Sequence, residues 1–257
     1  MKGVILAGGL GTRLHPMTRV TNKHLLPVYD RPMIYYPIQQ LVHAGVEDIL
    51  LVTGGESAGD FLRLLGNGAR FGLEHLHYTY QEGEGGIAEA LGLARHFADD
   101  GPVVVILGDN IFQQSLRPAV ASYEDLGSGA MILLKEVPDP ERFGVVRFEG
   151  DRIVEIVEKP VDPPTSLAVT GCYVYDSRVF EIIDGLTPSE RGELEITDVN
   201  NRYLEWGEMR HHVLEGWWTD AGTVRSLFRA TTLVAEDEGN AVLRRERPGA
   251  EAAGAGR

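Results

Sequence analysis

Short, continuously apolar runs recur through the first half of the chain, and amphipathic stretches separate them. GVILAG (3–8), DILLVTG (48–54), HLHYTYQ (75–81), VVVILGD (103–109) and AMILLKEV (130–137) read as strands. Between them MIYYPIQQLVHAG (33–45), GDFLRLLG (59–66), GGIAEALGLARHFA (85–98) and a weaker stretch at 116–123 carry apolar residues at helical spacing. Strands alternating with helices of this length predict βαβ units, and strands apolar on both faces predict helical cover on both sides. After Pro138 the texture changes. VVRFE (145–149) and RIVEIVEKP (152–160) flank a Gly150-Asp151 turn signal and predict a hairpin. LAVTGCYVYD (167–176) and MRHHVLEG (209–216) read as strands, and 179–186, 195–207 and 224–237 as helices. The pattern predicts an α/β fold with a mostly parallel, Rossmann-like central sheet and a smaller, irregular second lobe. The expected division is one domain over 1–243, with halves at 1–137 and 138–243, and a disordered tail over 244–257 in the small and polar run RRERPGAEAAGAGR.

Composition narrows the function classes. The chain has 257 residues and a formal net charge of −14, which argues against a non-specific nucleic-acid binder because that needs a basic face. No apolar run approaches the ~20 residues of a membrane span, and the amino terminus lacks a signal-peptide pattern, so a cytoplasmic protein with no membrane partner is expected. The one cysteine, Cys172, lies within an apolar strand-like run and reads as core. An acidic chain that handles a phosphorylated ligand should gather its few cations at one place.

The glycine loop after the first strand is the first such place. Gly9-Leu10-Gly11-Thr12-Arg13-Leu14 lacks the third glycine of a dinucleotide fingerprint, and the Gly-Lys-Ser/Thr of a P-loop is absent. Glycines let backbone N–H groups approach phosphate oxygens, and Arg13 can clamp two oxygens at once. Taken alone, the loop is as well explained by a tight surface turn. Asp109 ends a buried strand, where open α/β sheets bind ligands, although a plain turn would also place an aspartate there. Asp220 could serve as the N-cap of the last helix. Gln81 offers both a donor and an acceptor, which suits the O4 and N3–H edge of thymine or uracil; a polar strand end is the plainer reading. His75 and His77 share a strand face, but no third metal ligand is evident, so an exposed strand face is expected.

The segment GGLGTRLHPMTRVTNKHLLPVYDRPMIYY (8–36) resembles the signature of the sugar-1-phosphate nucleotidylyltransferases. The resemblance continues through QEGEGGIAEAL, VVILGDNIF, DPERFGVV, VEKP, AVTGCYVYD, RGELEITDVN and WWTDAGT. Within that family the motifs are most similar to a short form of the glucose-1-phosphate thymidylyltransferases. The resemblance implies the nucleotidyltransferase type A fold and nucleotidyl transfer from dTTP to glucose 1-phosphate, in the service of deoxysugar biosynthesis. It implies Mg2+ held by Asp109 and Asp220, and catalytic roles for Arg13, Lys23, Asp109, Lys159 and Asp220. The nucleotide is expected at Leu6, Gly8, Gly9, Gly11, Thr12, Arg13, Gln81, Gly86 and Asp109. The sugar phosphate is expected at Lys23, Asn110, Gly144, Glu158, Lys159, Val169, Gly171 and Arg191. A homo-oligomer, dimer or tetramer, is implied. The rival readings are a UTP-using transferase and a catalytically silent sensor of nucleotide sugars. His24 stands where many thymidylyltransferases carry Gln, which leaves the phosphate machinery intact and loosens the expected nucleotide or sugar preference. Longer members continue past the last helix, so weaker feedback by product at a second site is expected of a short form.

Overall fold

The computed structural model describes residues 1–237 and 240, and the tail expected over 244–257 lies outside them. The strands are β1 (Lys2–Ala7), β2 (Pro27–Val28), β3 (Arg31–Pro32), β4 (Asp48–Gly54), β5 (His75–Gln81), β6 (Val103–Leu107) and β7 (Asn110–Phe112). They continue as β8 (Ala130–Glu136), β9 (Gly144–Glu149), β10 (Arg152–Glu158), β11 (Leu167–Tyr175), β12 (Met209–Val213) and β13 (Trp218–Asp220). The helices are α1 (Tyr35–His43), α2 (Ala58–Leu65), α3 (Ile87–Gly92), α4 (Arg95–Ala98), α5 (Arg117–Leu126), α6 (Val179–Asp184), α7 (Ile196–Trp206) and α8 (Val224–Glu236). No helix among the described residues is long and apolar enough to cross a membrane.

A nine-stranded sheet runs in the order β10-β9-β11-β6-β1-β4-β5, with β8 beside β11 and β12 beside β8. β1 pairs in parallel with β4 on one side and β6 on the other, so the chain reverses its direction of growth across β1. Such a reversal opens a crevice at the carboxyl ends of the strands. Residues of β1 alternate between two cores: Ile5 and Ala7 face the cluster under α1 and α2, while Val4 and Leu6 face the one under α3, α6 and α7. β6 repeats the division, with Val104 and Ile106 on one side and Val103 and Val105 on the other. Both faces of both strands are therefore apolar, as the continuous runs in the sequence require.

The second half adds antiparallel pairings of β11 with β6, β8 and β9, and the predicted hairpin of β9 and β10. Two expectations change. The single helix expected over 85–98 is broken into α3 and α4. A two-stranded ribbon of β7 and β13, too short to show a period in sequence, ties the segment after β6 to the segment before α8. A third apolar cluster, including Met33, Tyr36, Ile111 and Ala230, packs α8 beneath that ribbon.

Candidate active site

The glycine loop leaves β1 inside the crevice. Gly11 has φ 67°, and a side chain there would come within 2.9 Å of Lys23 Cβ and 3.2 Å of Thr18 Cγ2. Glycine is required both for the left-handed backbone and for the close approach. The chain then folds back. Thr18 Oγ1 donates to Gly11 O at 2.7 Å, and the Asn22 side chain donates to Ala7 O at 3.3 Å while accepting from the His24 N–H at 2.9 Å. This return brings Lys23 over the end of β6. His24 beneath it is buried, and burial followed by the Lys23 charge pushes its ring pKa down to about 3. It is a neutral packing group at working pH.

Lys23 Nζ lies 2.5 Å from Asp109 Oδ2. Asp109 is 8% exposed. Burial alone would raise its carboxyl, but the Lys23 charge and the hydrogen bonds from Lys23 and Asn110 hold it well below the usual carboxylate range. Asn110 Nδ2 donates to Asp109 Oδ1 at 2.9 Å. The Asn110 Oδ1 accepts from the Gly171 N–H at 2.9 Å and from the Trp218 indole at 2.8 Å. The Gly171 N–H is available because the β11–β8 register shifts between Val169 and Tyr173. Such irregularities free backbone groups to serve a site. Asn110, expected to touch sugar phosphate, also orients Asp109.

The β7–β13 ribbon sets Asp220 opposite Asn110, and the Ala221 N–H donates to Asp109 O at 2.8 Å. A side chain at Gly222 would sit 3.3 Å from Arg13 Nη2, 3.3 Å from Asp220 Oδ2 and 3.4 Å from Asp109 Oδ2. The guanidinium and both carboxylates therefore converge around one point. Burial, then the Asp109 charge, raises the Asp220 pKa, against the lowering influence of Arg142, Arg13 and Lys23. Two part-buried carboxylates left repelling each other fit a hard divalent cation with oxygen ligands. Asp109 and Asp220 are the residues that could hold one. The helix-cap explanation of Asp220 fails, because Thr223 caps α8 in a reciprocal pair with Ser226.

The crevice has two communicating parts that share Gly9, Arg13 and Asp109. The smaller, about 270 Å3, is also lined by Leu6, Gly8, Lys23, Gln81 and Gly86. Gly11 and Thr12 shape the loop but are not part of that lining. The larger, about 760 Å3, is lined by Asn110, Gly144, Glu158, Lys159, Val169, Gly171, Arg191 and Asp220. Lys159 is held at φ 45°, an uncommon backbone for a lysine, and its Nζ pairs with Glu158 at 2.9 Å. Arg191 is less free than expected, since it pairs with Glu195 at 2.9 Å and Glu193 at 3.2 Å. Gln81 is 6% exposed. Its Nε2 donates to Glu89 at 2.9 Å and to Gly86 O at 3.2 Å, which narrows the dual donor and acceptor role expected of it.

Sequence reasoning missed Arg142, Gly222 and Glu89, while Trp218, read from the sequence as packing around the Asp220 loop, does so through its bond to Asn110. Gly222 lies inside WWTDAGT, but only the side chains that converge on it reveal what it faces. The statement that His75 and His77 lack a third ligand is also corrected. Asp48 stands opposite His75 in the β4–β5 register, its Oδ1 lies 3.0 Å from His75 Nδ1, and the three side chains could hold a metal ion. They stand at the amino ends of the strands, away from the crevice. Cys172 is core as expected, with burial pushing its thiol up to about 12.

The model of the nucleotidyl transferase family matches residues 2–237. The chain is 47% identical to the glucose-1-phosphate thymidylyltransferase of Neisseria meningitidis serogroup A over 242 residues, 91% of this chain and 82% of that protein. It superposes with TM-score 0.87 and 52% identity on a Bacillus anthracis crystal structure provisionally named a glucose-1-phosphate thymidylyltransferase, in complex with a sucrose, covering 91% of this chain and 94% of that one. A structure of UDP-glucose pyrophosphorylase complexed with UDP-glucose superposes with TM-score 0.80 at 25% identity, covering 91% and 98% of the two chains.

Proposed function

The chain belongs to the nucleotidyl transferase family, and from that premise we propose that it converts dTTP and glucose 1-phosphate into dTDP-glucose and pyrophosphate. A phosphate oxygen of glucose 1-phosphate attacks the α-phosphorus of dTTP. The bond from that phosphorus to the bridging β-phosphate oxygen breaks, and its electron pair leaves with pyrophosphate. Such a transfer depends on alignment and charge stabilisation rather than on a covalent enzyme intermediate.

The observation that carries this reading is the convergence of Arg13, Asp109 and Asp220 where the two parts of the crevice meet. Arg13 takes up the charge that grows on the departing pyrophosphate. Lys23 holds Asp109 in its ionised form and stands ready for phosphate oxygens. Lys159 and Arg191 bring cations to the sugar-phosphate end, and Glu158 accepts hydrogen bonds from sugar hydroxyls. Mg2+, when bound by Asp109 and Asp220, would neutralise phosphate charge and fix the reacting groups. Gln81 and Gly86 take the pyrimidine in the smaller part of the crevice.

A uridylyl-transferring reading is kept because thymine and uracil share the edge that Gln81 meets, and a UDP-glucose enzyme superposes on the chain. The deciding experiment supplies glucose 1-phosphate and Mg2+ with each of dTTP, UTP, dCTP and dATP, and measures pyrophosphate release. Release is expected with dTTP first and UTP second. A UTP preference would move the assignment to the uridylyl reading, and no release with any triphosphate would leave the sensor reading standing. The protein is proposed to work in the cytoplasm as a homo-oligomer, and a monomer by light scattering at assay concentration would remove that last part.

A further inference from the structure

The Gln81 side chain ends a strand at the floor of the smaller part of the crevice, and its amide is not free to turn. Both hydrogens of Nε2 are spent inside the protein, one on the Glu89 carboxylate at 2.9 Å and one on the Gly86 carbonyl at 3.2 Å. Both partners are acceptors only, so turning the amide over would set Oε1 against two oxygens. The Oε1 instead faces the glycine loop: a side chain at Gly8 would lie 2.8 Å from it. The Glu89 carboxylate reaches Gln81 only because position 85 has no side chain. Any Cβ at Gly85 would overlap the carboxylate outright. Glu89 rises from the first turn of α3, which fixes its distance to the end of β5.

We propose that Glu89 is a positioning residue for base selection: by holding Nε2 it makes Gln81 present an acceptor alone, so the crevice takes a base that offers a ring N–H and turns away one that offers a ring acceptor. Thymine and uracil carry N3–H. Cytosine in the same orientation would bring an unprotonated N3 against Oε1, leaving two buried acceptors facing each other. The inference rests on the reading above that Gln81 meets the base.

The test compares kcat/KM for dTTP and dCTP, with glucose 1-phosphate saturating, in five proteins: wild type, Glu89→Leu, Glu89→Gln, Gln81→Ala and the Glu89→Leu/Gln81→Ala pair. Loss of the stronger of the two anchoring acceptors frees an Nε2 hydrogen and eases the amide's turn, so Glu89→Leu should lower the dTTP-over-dCTP ratio by about tenfold. The loss should come through a higher KM for dTTP and a lower one for dCTP, with kcat for dTTP held. Glu89→Gln keeps an acceptor and should retain most of the ratio. The double variant should match Gln81→Ala alone, because Glu89 acts only through Gln81. Gly85→Ala, which displaces the carboxylate without deleting it, should reproduce Glu89→Leu and serves if that variant does not fold. If Gln81→Ala loses the ratio while Glu89→Leu and Gly85→Ala keep it, the positioning role is overturned and the base reading stands. If Gln81→Ala itself keeps the wild-type ratio, the base reading is the part that fails.

Discussion

The two ends of the crevice hold their charges in opposite ways. At the β6 corner, Lys23, Asp109, Asn110, Gly171 and Trp218 form one chain of hydrogen bonds drawn from four segments and largely removed from water. In the second lobe, Glu158, Lys159, Arg191 and Glu195 pair with neighbours close in sequence, and Lys159 and Arg191 are about half exposed. The first arrangement is built before any ligand arrives, so its charges need little rearrangement. The second is screened by water, and its cations can exchange glutamate for phosphate at small cost. A single fold thus provides a stiff centre and an adaptable rim, which we propose serve the reacting phosphates and the sugar.

The largest effect that tests this contrast is expected at the stiff end. Asp109→Asn should reduce pyrophosphate release on the order of 10²–10³-fold, as loss of one preorganised electrostatic group does. Its circular dichroism should stay that of the wild type. Next, Lys23→Met leaves a buried carboxylate without its partner and should cost about 3 kcal/mol in urea unfolding. Adding Asp109→Asn should restore much of that, whereas two independent losses would instead add.

The pH response follows from the same pair. The folded Asp109 carboxyl titrates below its ordinary value, so its contribution to stability is complete above the ordinary carboxylate pKa of ~3.9. It is lost as pH falls below that value toward the depressed one. Melting temperature should therefore drop through this acid window in the wild type, and the slope there should flatten in Asp109→Asn. The smallest effect belongs to the rim. Arg191→Ala should raise KM for glucose 1-phosphate about threefold and change stability by less than ~1 kcal/mol, as exposed pairs do. A stability loss at Arg191 equal to that at Lys23 would erase the distinction between the two ends.

Much of this was readable in the chain. Every strand of the large sheet was located in the sequence, most plainly β1 and β6, whose burial on both faces leaves a continuous apolar signature in GVILA and VVVIL. The motifs marked Arg13, Lys23, Asp109 and Asp220, and the crevice gathers all four. What stayed hidden depends on register and side-chain direction. Three-residue strands have no period, so the β7–β13 ribbon that brings Asp220 to Asp109 left no trace. The pairing of Asp48 with His75 exists only in the β4–β5 ladder. Composition shows that Gln81 can donate and accept; only the placement of Glu89 and Gly86 shows which of the two remains.

Asp109 and Asp220, from segments far apart in the chain, are proposed to make one Mg2+-dependent centre. Pyrophosphate release from dTTP and glucose 1-phosphate, titrated with Mg2+ in wild type and Asp220→Asn, tests it most directly. The wild type should be silent without a divalent ion and should saturate with Mg2+. Asp220→Asn should need far more Mg2+ and fall by on the order of 10²-fold in turnover, with its melting temperature preserved. Wild-type turnover and Mg2+ dependence in Asp220→Asn would contradict the account.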